Sequence, residues 1–190
     1  SVACGNIGDP IINEVENLGI DDYAVIEISS FQLETLSSLR PHIAVITNIT
    51  EDHLNRHYNM ENYVFLKGKI LRNLKESEYA VLNYDDEVVR NFAKHTRAKP
   101  VYFSINTRID GAYYENGSIF FNGEKYLDVD DMSVKGVHNV YNALACVAAS
   151  HILGLDKEKV ADALISFKGI KHRIEEIGVV NGVTYIDDSK

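Results

Sequence analysis

The feature that most constrains this chain is the run 43–49, rich in β-branched residues, followed at once by Thr50-Glu51-Asp52-His53. Such a run, apolar without strict alternation, predicts a strand covered on both faces in a parallel sheet. Ligands in open α/β sheets collect beyond the carboxyl ends of strands, so Glu51, Asp52 and His53 stand where chemistry is placed. A polar loop capping the next helix accounts for the same residues. A second run, 23–30, is apolar until Glu27 appears inside it. A carboxylate in a buried strand costs several kcal/mol unless it is partnered, which predicts either a metal or a buried Lys or Arg beside it. Two strand ends are therefore expected to aim ligands at one place.

The rest of the chain alternates in the same way. After a glycine turn at 5–8, Asp9 and Pro10 predict the cap and first position of a helix over 10–18. Strand 22–29, helix 31–39 ending before Pro41, and strand 43–49 follow. Apolar residues at three- and four-residue spacing predict an amphipathic helix over 60–74, with Lys67 close to its apolar face. Next come strand 79–83, helix 86–95 capped by Asp85-Asp86, and strand 101–104. From 112 to 129 the period changes to two, with Asn116-Gly117 and Asn122-Gly123 as hairpin turns. Helices over 139–153 and 157–167 precede a strand pair, 174–180 and 183–186, around Asn181-Gly182. The expected fold class is α/β, a mostly parallel sheet with helices on both faces plus a small antiparallel appendage. A domain boundary is expected near Gly169, with 1–169 one domain and 170–190 the start of another.

With 190 residues, 45% hydrophobic and 25% charged, the chain can bury a substantial core. A net charge of -9 leaves no basic stripe to displace counterions, which argues against nucleic acid as a partner. Cys4 and Cys146 lie far apart without zinc-site spacing, and both are expected to be reduced thiols. No apolar stretch approaches the ~20 residues of a membrane helix, and the amino terminus lacks a signal pattern. A cytoplasmic monomer with no membrane partner is the expectation. The chain opens at Ser1 inside a predicted strand, as a piece of a longer protein would.

Several motifs together carry a resemblance. They are Gly5-Asn6-Ile7-Gly8, Glu27-Ile28-Ser29-Ser30-Phe31-Gln32-Leu33-Glu34, Asn48-Ile49-Thr50-Glu51-Asp52-His53, Gly136-Val137-His138-Asn139-Val140-Tyr141-Asn142-Ala143-Leu144-Ala145, His172-Arg173 and Asp187-Asp188-Ser189-Lys190. Over its whole length the chain resembles the central domain of the Mur ligases, in particular the branch that joins D-glutamate to UDP-N-acetylmuramoyl-L-alanine. The resemblance implies a P-loop NTPase-like domain and an ATP-dependent, acyl-phosphate-forming amide ligase of peptidoglycan synthesis, using ATP and Mg2+.

By that resemblance Glu27, His53 and Lys67 are the catalytic and metal-binding set, with Lys67 N-carboxylated so that an ammonium becomes an anion. Burial among apolar neighbours would favour the neutral amine that this modification needs. A helix lysine snorkelling to solvent is the ordinary alternative, and for His53 it is a structural hydrogen-bonder. Asn6, Ser29, Gln32 and His53 are implied to line the path of the muramoyl substrate. Asn139, Asn142, Arg173, Asp187 and Lys190 are implied to bind nucleotide. The two asparagines are three apart on one helical face, each with donors and acceptors, although an asparagine at a helix start is commonly only a cap.

No G-x-x-x-x-G-K-[ST] loop occurs in these residues. The family's P-loop and its UDP-binding domain are expected upstream of Ser1, and most of the glutamate-binding domain beyond Lys190, so this piece alone is expected to lack ligase activity. Two alternatives stay open: another Mur ligase or a folylpolyglutamate synthase-type ligase, and a non-catalytic nucleotide-binding domain.

Overall fold

A computed structural model describes residues 1–173 and 175–189. The strands are β1 (Val2–Gly5), β2 (Ala24–Glu27), β3 (Ile43–Ile46), β4 (Tyr79–Asn83), β5 (Lys99–Ser104), β6 (Gly111–Glu115), β7 (Ser118–Phe121), β8 (Glu124–Asp128), β9 (Glu175–Val180) and β10 (Val183–Asp187). The helices are α1 (Ile11–Glu14), α2 (Ser30–Thr35), α3 (Leu54–His57), α4 (Met60–Gly68), α5 (Glu87–Asn91), α6 (Val137–Ile152) and α7 (Lys157–Ser166). No helix among the described residues is long and apolar enough to cross a membrane.

The main sheet has six strands in the order β3-β4-β5-β6-β7-β8. Pairing is parallel from β3 to β6 and antiparallel from β6 to β8. The antiparallel hairpins therefore continue the parallel sheet along one edge. Their turns form as the Asn-Gly pairs require, with positive φ at both residues: 49° and 85° at Asn116-Gly117, and 48° and 90° at Asn122-Gly123. The same chemistry makes the β9–β10 hairpin at Asn181-Gly182.

Alternation along β4 divides the core into two layers. Val81 faces Phe103, Ala112 and the buried side of α6, including Leu144 and Val147. Ala80 and Leu82 face Ala44, Ile46, Tyr63 of α4 and Val89 of α5. Helices thus cover both faces of the sheet, as the uninterrupted apolar strands demand.

Two expectations are not met at the other end. β1 and β2 form a parallel pair of their own and share no ladder with β3 among the described residues. In consequence β2 is not buried: Val25 is 66% exposed and Glu27 lies on the surface. The edge strand β3 is likewise open on one face at Val45, 39% exposed. Several helices are also shorter than their apolar spacing predicts. α2 ends at Thr35 because Leu36 turns extended and the Asn73 amide donates to the carbonyls of Ser37 and Leu39 at 2.7 and 2.9 Å. α1 spans four residues without the expected Asp9 side-chain cap; instead the Asp9 carbonyl accepts from Gly5 N at 2.9 Å.

Candidate active site

Glu27 ends β2, directly opposite Gly5 of β1. The approach is so close that a Cβ on Gly5 would lie 2.3 Å from the Glu27 carbonyl oxygen, and Gly5 sits at φ +114°. Only glycine fits there. The next residue, Asn6, donates its amide to both Glu27 carboxylate oxygens at 3.3 Å. No cation lies within salt-bridge distance of Glu27 among the described residues, so the buried Lys or Arg partner is not the arrangement found. An exposed carboxylate without a cation offers hard oxygen ligands.

Two residues on, the chain enters α2 through a capping box. Ser29 Oγ accepts from Gln32 N at 3.3 Å, while Gln32 Oε1 accepts from Ser29 N at 2.9 Å. The spacing Ser-x-x-Gln is a helix-start signature in its own right, so both residues have a local structural task in addition to the substrate contacts expected of them.

The loop after β3 brings its polar cluster to the same region. His53 takes a left-handed conformation, φ 53°, and its backbone N–H donates to Asp52 Oδ1 at 2.7 Å. Its ring lies 3.3 Å from Asp52 Oδ2 and 5.0 Å, centroid to centroid, from Phe31 of α2. Lys67 of α4 is half-buried, with its ammonium 5.7 Å from the centre of the Tyr63 ring. Burial pushes the Tyr63 phenol up from its ordinary value and the Asp52 carboxylate adds to that push. Glu27, His53 and Lys67 make no direct contact with one another among the described contacts; α2 and its aromatic Phe31 stand between them.

A turn after β4 ties this loop to α6. Asn83 Nδ2 donates to Thr47 O at 2.8 Å, and Asp86 Oδ2 accepts from Ile49 N at 2.9 Å. Asp85 accepts from Ser104 Oγ at 2.6 Å, Ile105 N at 2.8 Å and the Tyr141 hydroxyl of α6 at 3.1 Å. Burial and the adjoining Asp85 push the Tyr141 phenol up to about 12. These groups enclose a polar cavity of about 380 Å³ that runs from Asn48 to Asn142. Of the pair Asp85-Asp86 only Asp86 caps α5, while Asp85 turns toward Ser104 and Tyr141, and a polar run directly after a strand is the signal in the sequence that marks this place.

Asn139 and Asn142 both line a second groove, about 670 Å³, between α6 and α7. Asn139 also donates to Lys135 O at 2.8 Å, a capping contact. Further on, Arg173 is exposed, and Asp187 lies 2.7 Å from His172 Nδ1, which holds its carboxyl below the usual range. Ligand atoms of His172, Glu175 and Asp187 lie within 4.8 Å of one another, the one such group of three among the described residues. Lys190 lies outside the described residues.

The pattern of the Mur ligase middle domain matches residues 12–150. UDP-N-acetylmuramoylalanine--D-glutamate ligase of Clostridioides difficile (strain 630) is 42% identical over 190 residues, covering 98% of this chain and 42% of that protein. The enzyme of the same name from Thermoanaerobacter sp. (strain X514) is 43% identical over 191 residues, with the same coverage of 98% and 42%. The chain thus spans about 42% of the length of these curated relatives. Among solved structures, UDP-N-acetylmuramate-alanine ligase MurC of Thermotoga maritima matches 87% of this chain and 38% of its own at 27% identity, with a TM-score of 0.64. MurF of Acinetobacter baumannii shares the fold, with a TM-score of 0.67 over 78% of this chain and 34% of its own at 23% identity. With its middle-domain pattern extending from α1 to α6 and its strand-end motifs in place, this chain belongs to the Mur ligase family.

Proposed function

We propose that this chain is the central part of an ATP-dependent ligase that joins D-glutamate to UDP-N-acetylmuramoyl-L-alanine. The observation that carries the reading is an identity of 42% over 98% of this chain to an enzyme named for that reaction, in a chain whose Glu27 ends β2 and whose His53 lies in the loop after β3.

In the first step a carboxylate oxygen of the substrate alanyl group bonds to the γ-phosphorus of ATP, and the bond from that phosphorus to the bridging oxygen of ADP breaks. In the second, the amine of D-glutamate attacks the acyl carbon, phosphate leaves, and the nitrogen loses a proton. Phosphoryl transfer is mostly positioning and electrostatic stabilisation. Mg2+, when bound, neutralises charge on the transferring phosphoryl oxygens.

The donor set fits that ion in chemistry. Glu27 offers exposed oxygens steered by Asn6, and His53 offers an imidazole at the facing loop. Lys67 as an ammonium repels a cation, so it serves only after N-carboxylation; no carboxylate lies within salt-bridge distance of its Nζ among the described residues. Asn6, Ser29, Gln32 and His53 line the path of the muramoyl substrate, whose alanyl carboxylate takes the phosphoryl group. Asn139 and Asn142 present amides to the adenine, Arg173 reaches the phosphates, and Asp187 takes the ribose hydroxyls after exchanging its His172 contact; Lys190 belongs to this group by resemblance alone.

The test is an ADP-release assay on the full-length protein with UDP-N-acetylmuramoyl-L-alanine, Mg2+ and D-glutamate. Release that depends on D-glutamate, and that is lost when L-lysine, meso-diaminopimelate or D-alanyl-D-alanine replaces it, supports the reading. Release with one of those amines and not with D-glutamate would assign the chain to another branch of the family.

A further inference from the structure

The pair β1–β2 carries Asn6 and Glu27, whereas His53 and Lys67 belong to the six-stranded sheet and its helix layer. No backbone ladder joins the two bodies among the described residues. Within this chain α2, which follows β2, docks onto α3 and α4 and so links the two halves of the site. His57 is at its centre. It is a titratable side chain only 2% exposed, and the function proposed above does not use it.

Its Nε2 lies 2.9 Å from Ser30 Oγ, itself buried at the first position of α2. Its ring stacks on Phe31 at 5.2 Å and 22° and on Tyr63 at 5.3 Å and 25°. Phe31 in turn meets His53, and Tyr63 carries Lys67 over its ring. His57 is therefore the middle of an unbroken row of side chains that begins at one candidate ligand and ends at another. Around it, Glu34 of α2 accepts from Arg56 at 2.6 Å through its carboxylate and from Lys69 Nζ at 2.7 Å through its carbonyl. Its carboxylate stands 3.7 Å from His57 Nδ1.

The imidazole combines aromatic stacking with an in-plane hydrogen bond in one small ring. Phenylalanine would supply the stacking without the in-plane bond to Ser30, and glutamine would supply the bond without the stacking. We propose that His57 is a positioning residue that sets the β2–α2 elbow, and with it Glu27, against the His53 loop and Lys67. The inference rests on the ligase reading for what the site does, but its geometry concerns residues of this chain alone.

The test uses the full-length protein and two readouts, Mn2+ binding followed by electron paramagnetic resonance without substrates, and the Mg2+ concentration that gives half-maximal ADP release. Ser30→Ala and His57→Phe should each weaken Mn2+ binding by roughly tenfold or more, as loss of an outer-shell support does, and raise the Mg2+ requirement in parallel. Loss of the buried Ser30–His57 contact lowers the thermal midpoint in itself, so Mn2+ affinity is read on the folded fraction, and His57→Gln should recover part of that affinity. A purely structural role would lower the thermal midpoint and leave Mn2+ affinity unchanged in the folded fraction. Unchanged Mn2+ affinity in folded Ser30→Ala overturns the proposal, and that variant decides the matter if His57→Phe fails to fold. Wild-type protein that binds Mn2+ but releases no ADP with any of the amines would sink the ligase reading while leaving the positioning result intact.

Discussion

Removing the Asp86 carboxylate should loosen two elements at once. Its Oδ1 accepts from Val89 N at 3.0 Å as the cap of α5, and its Oδ2 accepts from Ile49 N at 2.9 Å in the loop that leads to His53. Loss of a helix cap costs about 1 kcal/mol, with a range of about 0.5–2. Ile49 is 6% exposed, so its N–H would be left buried without an acceptor, at a further ~1–3 kcal/mol. For Asp86→Ala the sum is about 2–4 kcal/mol. Asp86→Asn can keep the cap through its Oδ1, but it then turns an amide N–H₂ toward Ile49 N, a donor facing a donor, and loses only the second contribution. The assay is hydrogen exchange by mass spectrometry on the full-length protein, where a global unfolding free energy would mix domains. At 1.4 kcal/mol per factor of ten, exchange in the peptide spanning 44–50 should quicken by roughly 30- to 700-fold in Asp86→Ala and by roughly 5- to 150-fold in Asp86→Asn. Protection within about threefold of wild type in Asp86→Ala would show that the contact with Ile49 holds nothing in place, and the reasoning from an unsatisfied donor would fall.

Glu27→Gln keeps shape and the Asn6 contact while removing the charge, so kcat in the full-length ligase should fall by roughly 100-fold or more with little change in thermal midpoint. Lys67→Arg keeps a cation over Tyr63 but cannot be N-carboxylated, and it should abolish both activity and any added carbon dioxide mass on the α4 peptide. Gly111 sits at φ +143°, and a Cβ there would lie 2.2 Å from the Tyr102 carbonyl oxygen, so Gly111→Ala should destabilise the sheet by roughly 2–4 kcal/mol, read as a lower thermal midpoint. The Tyr141 phenol is raised from 10.0 to about 12 in the folded state, so the unfolded chain loses its proton first as pH rises. Its contribution to stability is full below the ordinary value, falls between the two values and is gone above the upper one; Tyr141→Phe should flatten the decline in urea midpoint across that window.

The parts of this molecule legible from sequence are those whose causes are local. Asn116-Gly117, Asn122-Gly123 and Asn181-Gly182 each dictate a turn by their own tolerance of positive φ, and all three turns form. The apolar run of β4 implies helices on both faces, and α6 lies on one while α4 and α5 lie on the other. Polar groups after a strand imply a site, and the ends of β2 and β3 carry Glu27 and the His53 loop. What escaped has its cause far along the chain. Helix spacing continues past Thr35, yet Leu36 turns extended and Asn73, 34 residues beyond Leu39, holds the carbonyls of Ser37 and Leu39 in the loop that follows. Hydrophobicity alone does not say which strand pairs with which, so the separation of β2 from β3 was invisible, and with it the exposure of Glu27. The same holds within the site. Glu27 and His53 could be singled out because each is chemically conspicuous at its own strand end, whereas His57 looks like any helix histidine until Ser30, 27 residues away, meets its ring. Asp85 looks like half of a cap until Tyr141, 56 residues away, donates to it. Ligands to a site can be read from composition at one point in the chain; the residues that hold those ligands in register depend on pairs, and only the folded molecule brings the pairs together.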